Sequence, residues 1–355
     1  MRRHISMAVV GCGYWGSNLI RSFCALRNQC SITLACDCDE ERLRWANQSY
    51  PSIGTTTHFE QIINDDRIDA VVIATPASWH YTLAKQALRA HKHVLVEKPM
   101  ATTAQQCREL CSLARSLHLV LMVGHTFIYS PEVEYLGTLL KSGCLGKLYS
   151  VNSRRMNYGR FQKDVNAAWD LAPHDISIIL HLLKEQPVGV NCQGASHING
   201  NEEFTVMTLR FPSGVYACIQ SSWLNPVKVR EMVLVGSEKM AVYDTEQAEK
   251  IRVFNRHITE SLGGSSRHPI EYQVNIDSSW RGVHGVEPLK AQCGHFLDCI
   301  PTRRTPITSG VDGLHVVQIL EAASASLKHC GDLIRLPTGK SDYCADDHHN
   351  RSDFL

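Results

Sequence analysis

The first third of the chain repeats one pattern. Short apolar runs, "SMAVVG", "ITLAC", "DAVVIAT", "HVLVE" and "VLMVG", alternate with longer stretches whose apolar residues return every three or four positions. In "WGSNLIRSFCALR" these are Leu19, Ile20, Phe23 and Leu26, one face of a helix. "DEERLRWANQSYP", "SWHYTLAKQALRAH" and "TTAQQCRELCSLARSLH" read the same way, and Thr102 or Thr103 stands three residues before a glutamine in a capping box. Unbroken apolar strands are covered on both faces, as in parallel sheets joined by crossover helices. The expected fold class is α/β, with a doubly wound parallel sheet at the N-terminus.

The pattern changes after residue 125. One helix, "SPEVEYLGTLLKSG", leads into longer alternating strands: "EFTVMTLRF" and "VYACIQSSWL" as one meander, "VREMVLVG" and "MAVYD" as another. Consecutive antiparallel strands predict an open sheet in a second α/β domain. Helices return at "EPLKAQCGHFLDCIP" and "GVDGLHVVQILEAASASLKH". The expected boundaries are 1–125 for the first domain, 126–337 for the second, and 338–355 for a mobile polar tail. An open apolar sheet face from about 204 to 243 would need cover, so a homodimer or homotetramer is expected.

Composition removes some alternatives. The 355 residues carry a net charge of +1 with acids and bases interspersed, which argues against an electrostatic nucleic-acid binder. No apolar run approaches the ~18 residues that span a membrane. The fourteen cysteines are scattered without a CxxC pair, which fits reduced thiols in a cytoplasmic protein and no metal site.

Chemistry enters with the glycines. "GCGYWG" places Gly11, Gly13 and Gly16 after a strand and at the start of a helix, and Asp37 ends the next strand. That context makes a dinucleotide fingerprint, in which Gly11 turns the chain, Gly13 admits the pyrophosphate, Gly16 permits close packing and Asp37 holds the ribose hydroxyls. Tyr14 and Trp15 share this cofactor-binding turn. A carboxylate without an arginine immediately after it favours NAD over NADP. Ligands of such sheets bind at the carboxyl edge of the strands, so Thr75, Pro76, Glu97 and Lys98 are cofactor candidates. His80 either lines the same crevice or is a surface histidine.

The fingerprint, "ATP" after the fourth strand, "EKP" after the fifth and a later "DLAPHD" together resemble the Gfo/Idh/MocA oxidoreductases, the family of glucose–fructose oxidoreductase and inositol 2-dehydrogenase. The resemblance covers the chain to about residue 337 and implies an NAD-binding Rossmann domain over 1–125 and, over 126–337, a substrate-binding and oligomerisation domain with an open, mostly antiparallel sheet. It implies a catalytic Lys98 followed by a cis proline bond, and a catalytic pair in Asp170 and His174. Pro173 suits the first turn of a helix, which would put His174 at a helix N-terminus where the dipole favours a neutral ring. On this reading Lys98, His125, Trp169, Asp170 and His174 meet the substrate, with Trp169 bordering the pocket or packing in the core. "VNAAWDLAPHD" is similar to members that act on nucleotide-linked amino sugars and their uronates. The resemblance therefore implies an NAD-dependent dehydrogenase acting on a sugar CH–OH group, with an inositol or free sugar, or a sensor role without turnover, as alternatives. Lys228 and Arg230 either face a diphosphate or carboxylate or form the solvated face of a strand.

Overall fold

The computed structural model describes residues 4–159, 161, 165–198, 200–259, 271–280 and 287–337. The chain alternates from its start: β1 (Ile5–Val10), α1 (Tyr14–Cys24), β2 (Cys30–Cys36), α2 (Glu40–Ser49), β3 (Gly54–Thr56), α3 (Glu60–Ile63), β4 (Ala70–Ile73), α4 (Ala77–Arg89), β5 (His93–Val96), α5 (Ala104–Ser116) and β6 (Leu121–Val123). All six strands are parallel neighbours in the order β3-β2-β1-β4-β5-β6. This is the doubly wound arrangement whose order reverses beside β1. The central strands are buried along nearly their whole length because helices cover both faces. The helix starts are fixed locally: the Asp39 side chain accepts from Glu41 N–H, and Thr103 from Gln106 N–H. The short β3 and α3 add to the elements expected from the sequence; neither is long enough to show a period.

A 3-10 turn, Thr126–Tyr129, closes this stretch, and α6 (Pro131–Lys141) opens the next. There follow β7 (Leu148–Tyr158), α7 (Ala167–Leu183), β8 (Gly189–Ala195), β9 (Phe204–Arg210), β10 (Tyr216–Ser222), β11 (Leu224–Gly236), β12 (Lys239–Asp244), β13 (Ile251–Thr259) and β14 (Glu271–Trp280), then α8 (Pro288–Thr302), α9 (Gly310–Lys328) and β15 (Ile334–Arg335). The second sheet has the order β14-β13-β12-β11-β7-β10-β9-β8-β15. It is antiparallel except where β10 lies parallel to β7. The two expected hairpins form, β9 with β10 and β11 with β12, but they do not adjoin. Strand β7 sits between them, and its half-polar sequence, "LYSVNSRRMNY", concealed it.

The division of the chain differs from a single cut at residue 125. One compact unit runs to Tyr129 and takes up the chain again through α8 and α9 as far as Glu321; the other runs from Ser130 through β14 and resumes at Ala322. Helix α8 joins the first unit because Leu289, Cys293, Phe296 and Leu297 pack into one core with Leu19, Ile20 and Phe23 of α1. The expected tail, 338–355, lies outside the described residues. Among the described residues no helix is long and apolar enough to cross a membrane.

Candidate active site

In the first unit the glycine turn is built on one close approach. Gly11 has φ +89°, and a Cβ on Gly16 would lie 1.7 Å from the Gly11 carbonyl oxygen. Helix α1 therefore starts against the end of β1 as the fingerprint requires. Gly13 occupies the N-cap of α1, and the nearest atom to a Cβ built there is a guanidinium nitrogen of Arg42, at 3.5 Å. Tyr14 and Trp15 follow in the first helical turn, exposed and edge-to-face with centroids 5.5 Å apart.

Asp37 is buried at the end of β2. Its Oδ2 accepts from Cys12 N–H at 2.6 Å and its Oδ1 from Asp39 N–H at 2.9 Å. Arg42, from the first turn of α2, brings Nη1 to 3.5 Å of Asp37 Oδ2. The sequence reading missed this arginine because it stands five positions on rather than next to Asp37; the turn of α2 returns it. These residues fit a dinucleotide: a helix start without an obstructing side chain, a fixed carboxylate and the buried Thr75 hydroxyl, which has no partner among the described residues.

The same carboxyl edge carries the other candidates. Pro76 caps α4 and is exposed. His80 is not at the surface: its ring lies between the carbonyl oxygens of Thr75, 2.8 Å from Nε2, and Pro99, 2.7 Å from Nδ1. Burial is the main influence and lowers its pKa; the two carbonyls oppose it. His80 thus ties the end of β4 to the turn after β5. The Lys98–Pro99 bond is cis. Glu97 is buried, its Oε2 accepting from Lys98 N–H at 3.3 Å, and burial pushes its pKa up to about 7, against the pull of the Lys98 charge. Gly124 leaves the room, since a Cβ there would come within 2.9 Å of the Glu97 carboxylate. His125 is buried too, and burial pushes it down to about 4, with Asp312 opposing and Lys98 assisting.

In the second unit α7 corrects the sequence reading. The helix begins at Ala167, capped by Asn166, whose side chain accepts from Trp169 N–H at 3.1 Å. Pro173 lies inside it, and neither Pro173 nor Asp170 marks its start. The favourable cap at Asn166 and the alanines after it outweigh the one backbone donor that proline removes. His174 is therefore two turns into the helix, and the helix-end argument for a neutral ring does not apply. The four-residue spacing does place Asp170 and His174 on one face, a turn apart.

Asp170 Oδ2 accepts from the indole N–H of Trp223 at 3.1 Å. Trp223 is fully buried, packed with Ala167, Leu171 and Phe161. Trp169 is half-buried and donates its indole N–H to Ser324 Oγ at 2.8 Å. Asp175, next to His174, holds a buried two-point ion pair with Arg155 of β7, at 2.8 and 2.9 Å. The pair pins α7 to the sheet. Arg230 donates to the Met156 and Val229 carbonyls and to Asn157 Oδ1, and burial lowers its pKa. Lys228 is exposed and pairs with Glu246 at 3.1 Å. Trp223, Arg155 and Asp175 were not candidates from the sequence; the alternation of β7 and β10 alone does not say which polar residue meets α7.

The NAD-binding Rossmann-fold model of the GFO/IDH/MocA oxidoreductases matches residues 5–125, and the model of their C-terminal domain matches residues 133–242. The chain belongs to the Gfo/Idh/MocA oxidoreductase family. Among its relatives is a UDP-N-acetylglucosamine 3-dehydrogenase of Acidithiobacillus ferrooxidans, 24% identical over 88% of this chain and 94% of that protein. A solved structure of that enzyme superposes with a TM-score of 0.78 over 92% of this chain and 99% of its own. A 2,7-anhydro-N-acetylneuraminate hydratase of Escherichia coli is 27% identical over 78% of this chain and 75% of that protein. A levoglucosan dehydrogenase solved with NADH and levoglucosan has a TM-score of 0.80 at 18% identity, covering 94% and 100% of the two chains. The family sets the fold and the oxidoreductase class, and among the described residues no cluster of His, Cys, Asp and Glu can hold a metal ion.

Proposed function

We propose that this protein is an NAD-dependent dehydrogenase of a secondary alcohol on a nucleotide-linked sugar, such as UDP-N-acetylglucosamine or its uronate, oxidised at C3. The observation that carries the reading is the retention of Lys98 at the carboxyl edge that bears the glycine turn, together with Asp170 and His174 on one face of α7. The chemistry supplied by bound NAD is acceptance of hydride. Asp37 holds the ribose hydroxyls, and Gly11, Gly13 and Gly16 admit the pyrophosphate to the start of α1. His174 takes the hydroxyl proton. Asp170, itself held by the Trp223 indole, orients that imidazole. Lys98, as ammonium, donates to the developing alkoxide. The nucleotide-sugar leaning rests on "VNAAWDLAPHD" and on the acidithiobacillus relative.

Mass spectrometry of ligands released from the purified protein, then a panel of nucleotide sugars, free sugars and inositols followed by NADH formation and product mass, tests this. NADH with a nucleotide sugar and a product two hydrogens lighter supports the proposal. NADH only with inositols or free sugars moves the substrate class. Product without net NADH would point to chemistry like that named for the hydratase relative, and binding without turnover to a sensor.

A further inference from the structure

Away from the edge that carries Lys98, at the amino end of β6, the first unit holds a cavity of about 260 Å³. Its wall comes from the end of α5, the segment entering β6, the turn after α8 and the first residues of α9. Four of the lining side chains are basic, Arg115, His118, Arg303 and Arg304, and none is acidic. The Arg303 guanidinium donates to the His118 carbonyl at 3.3 Å, which holds it at the rim. Arg304 is half-buried. Gly310 and Val311 bring the first turn of α9 to the wall; Ser309 and Asp312 cap that turn, Asp312 Oδ2 accepting from Ser309 N–H at 2.8 Å and Ser309 Oγ from Asp312 N–H at 3.4 Å.

Arginines also serve at helix C-termini, where a cation offsets the negative end of the dipole. Arg115 in the last turn of α5 and Arg303 just after α8 fit that simpler explanation. Arg304, two residues past α8, reaches the Cys299 thiol in that helix's last turn, but helix ends alone do not account for a cavity whose lining has four bases and no acid. We propose that this cavity binds the phosphate group of a small metabolite, of which inorganic phosphate is the simplest form. Guanidinium forks match phosphate oxygens in pairs. The volume falls below the ~300–1,000 Å³ typical of pockets for larger ligands, which suits a small anion and not a second dinucleotide. The strands of this sheet are parallel, so the cavity lies at the opposite edge from the glycine turn and does not compete with the cofactor.

Isothermal calorimetry of inorganic phosphate into the full chain, saturated with NAD to fill the glycine turn and held at constant ionic strength with chloride, tests the site. Saturable binding is expected, weaker by at least ~10-fold, about 1.4 kcal/mol, in Arg304→Gln and in Arg115→Glu, with NAD affinity unchanged in both. No saturable heat in the wild type, or equal affinity in the two variants, overturns the proposal and leaves the arginines as helix-end cations. Arg115 is on the exposed face of α5, so its variant keeps the test decisive if Arg304→Gln does not fold.

Discussion

Two residues carry the sharpest expectations. Lys98→Met keeps the length of the side chain and removes its charge. If the ammonium stabilises the alkoxide, NAD binding should persist while turnover falls by roughly 10²–10³, as for a lost oxyanion donor; steady-state kinetics beside an NAD titration separate the two, and turnover within a few-fold of wild type would make Lys98 structural. Asp37 is the other. Asp37→Ala should weaken NAD by roughly 1.5–3 kcal/mol through the loss of charge-assisted bonds. Arg42 now stands 3.5 Å from that carboxylate. Released from it, the guanidinium becomes a ligand for a 2′-phosphate, so the same variant should gain in NADP affinity. Calorimetry with both dinucleotides checks this, and an unchanged NAD affinity would remove Asp37 from the site.

At the scale of elements, the carboxyl ends of β5 and β6 hold two buried groups that titrate in opposite senses. Glu97 is raised from 4.5 to about 7, so its contribution is fully present below pH 4.5 and is lost as pH rises through 7, roughly 3 kcal/mol in all. His125 is depressed from 6.5 to about 4, so its contribution is present above pH 6.5 and is lost as pH falls through 4. Across the shared window the two slopes oppose. Glu97→Gln should leave the histidine slope, stability dropping faster on acidification by up to ~1.4 kcal/mol per pH unit; His125→Asn should tilt it the other way. Urea unfolding at several pH values reads this, and parallel slopes in all three proteins would refute the coupling. Of these elements the sequence announced the strands, the glycine turn and the lysine, because apolar runs and glycine spacing are local. It misplaced the start of α7, because Pro173 looks like a first-turn proline until Asn166 is seen to cap the helix. It could not show Trp223 on Asp170 or Arg155 on Asp175, since those partners lie 53 and 20 residues apart and meet only through the sheet.

For the whole molecule the open question is what covers the second sheet. Helix α7 packs on β7, β9 and β10, on the face where Met232 and Leu234 are also buried. The alternate positions point the other way. There Val233 pairs with Val242, Val235 with Met240, and Met240 with Phe254, so five apolar side chains adjoin on three neighbouring strands, all only half-buried. Arg252 lies over the Phe254 ring, 5.8 Å from its centroid. A contiguous apolar patch on a long sheet marks an interaction surface, and a twofold pairing of like faces is the commonest way for identical chains to cover one. The expected outcome is a homo-oligomer at micromolar concentration by light scattering. Val233→Glu with Val242→Glu puts facing carboxylates on adjacent strands of that patch and should yield monomers that still bind NAD, because no residue of the first unit is altered. A monomeric mass for the wild type, or an unchanged oligomer in the double variant, would place the assembly surface elsewhere.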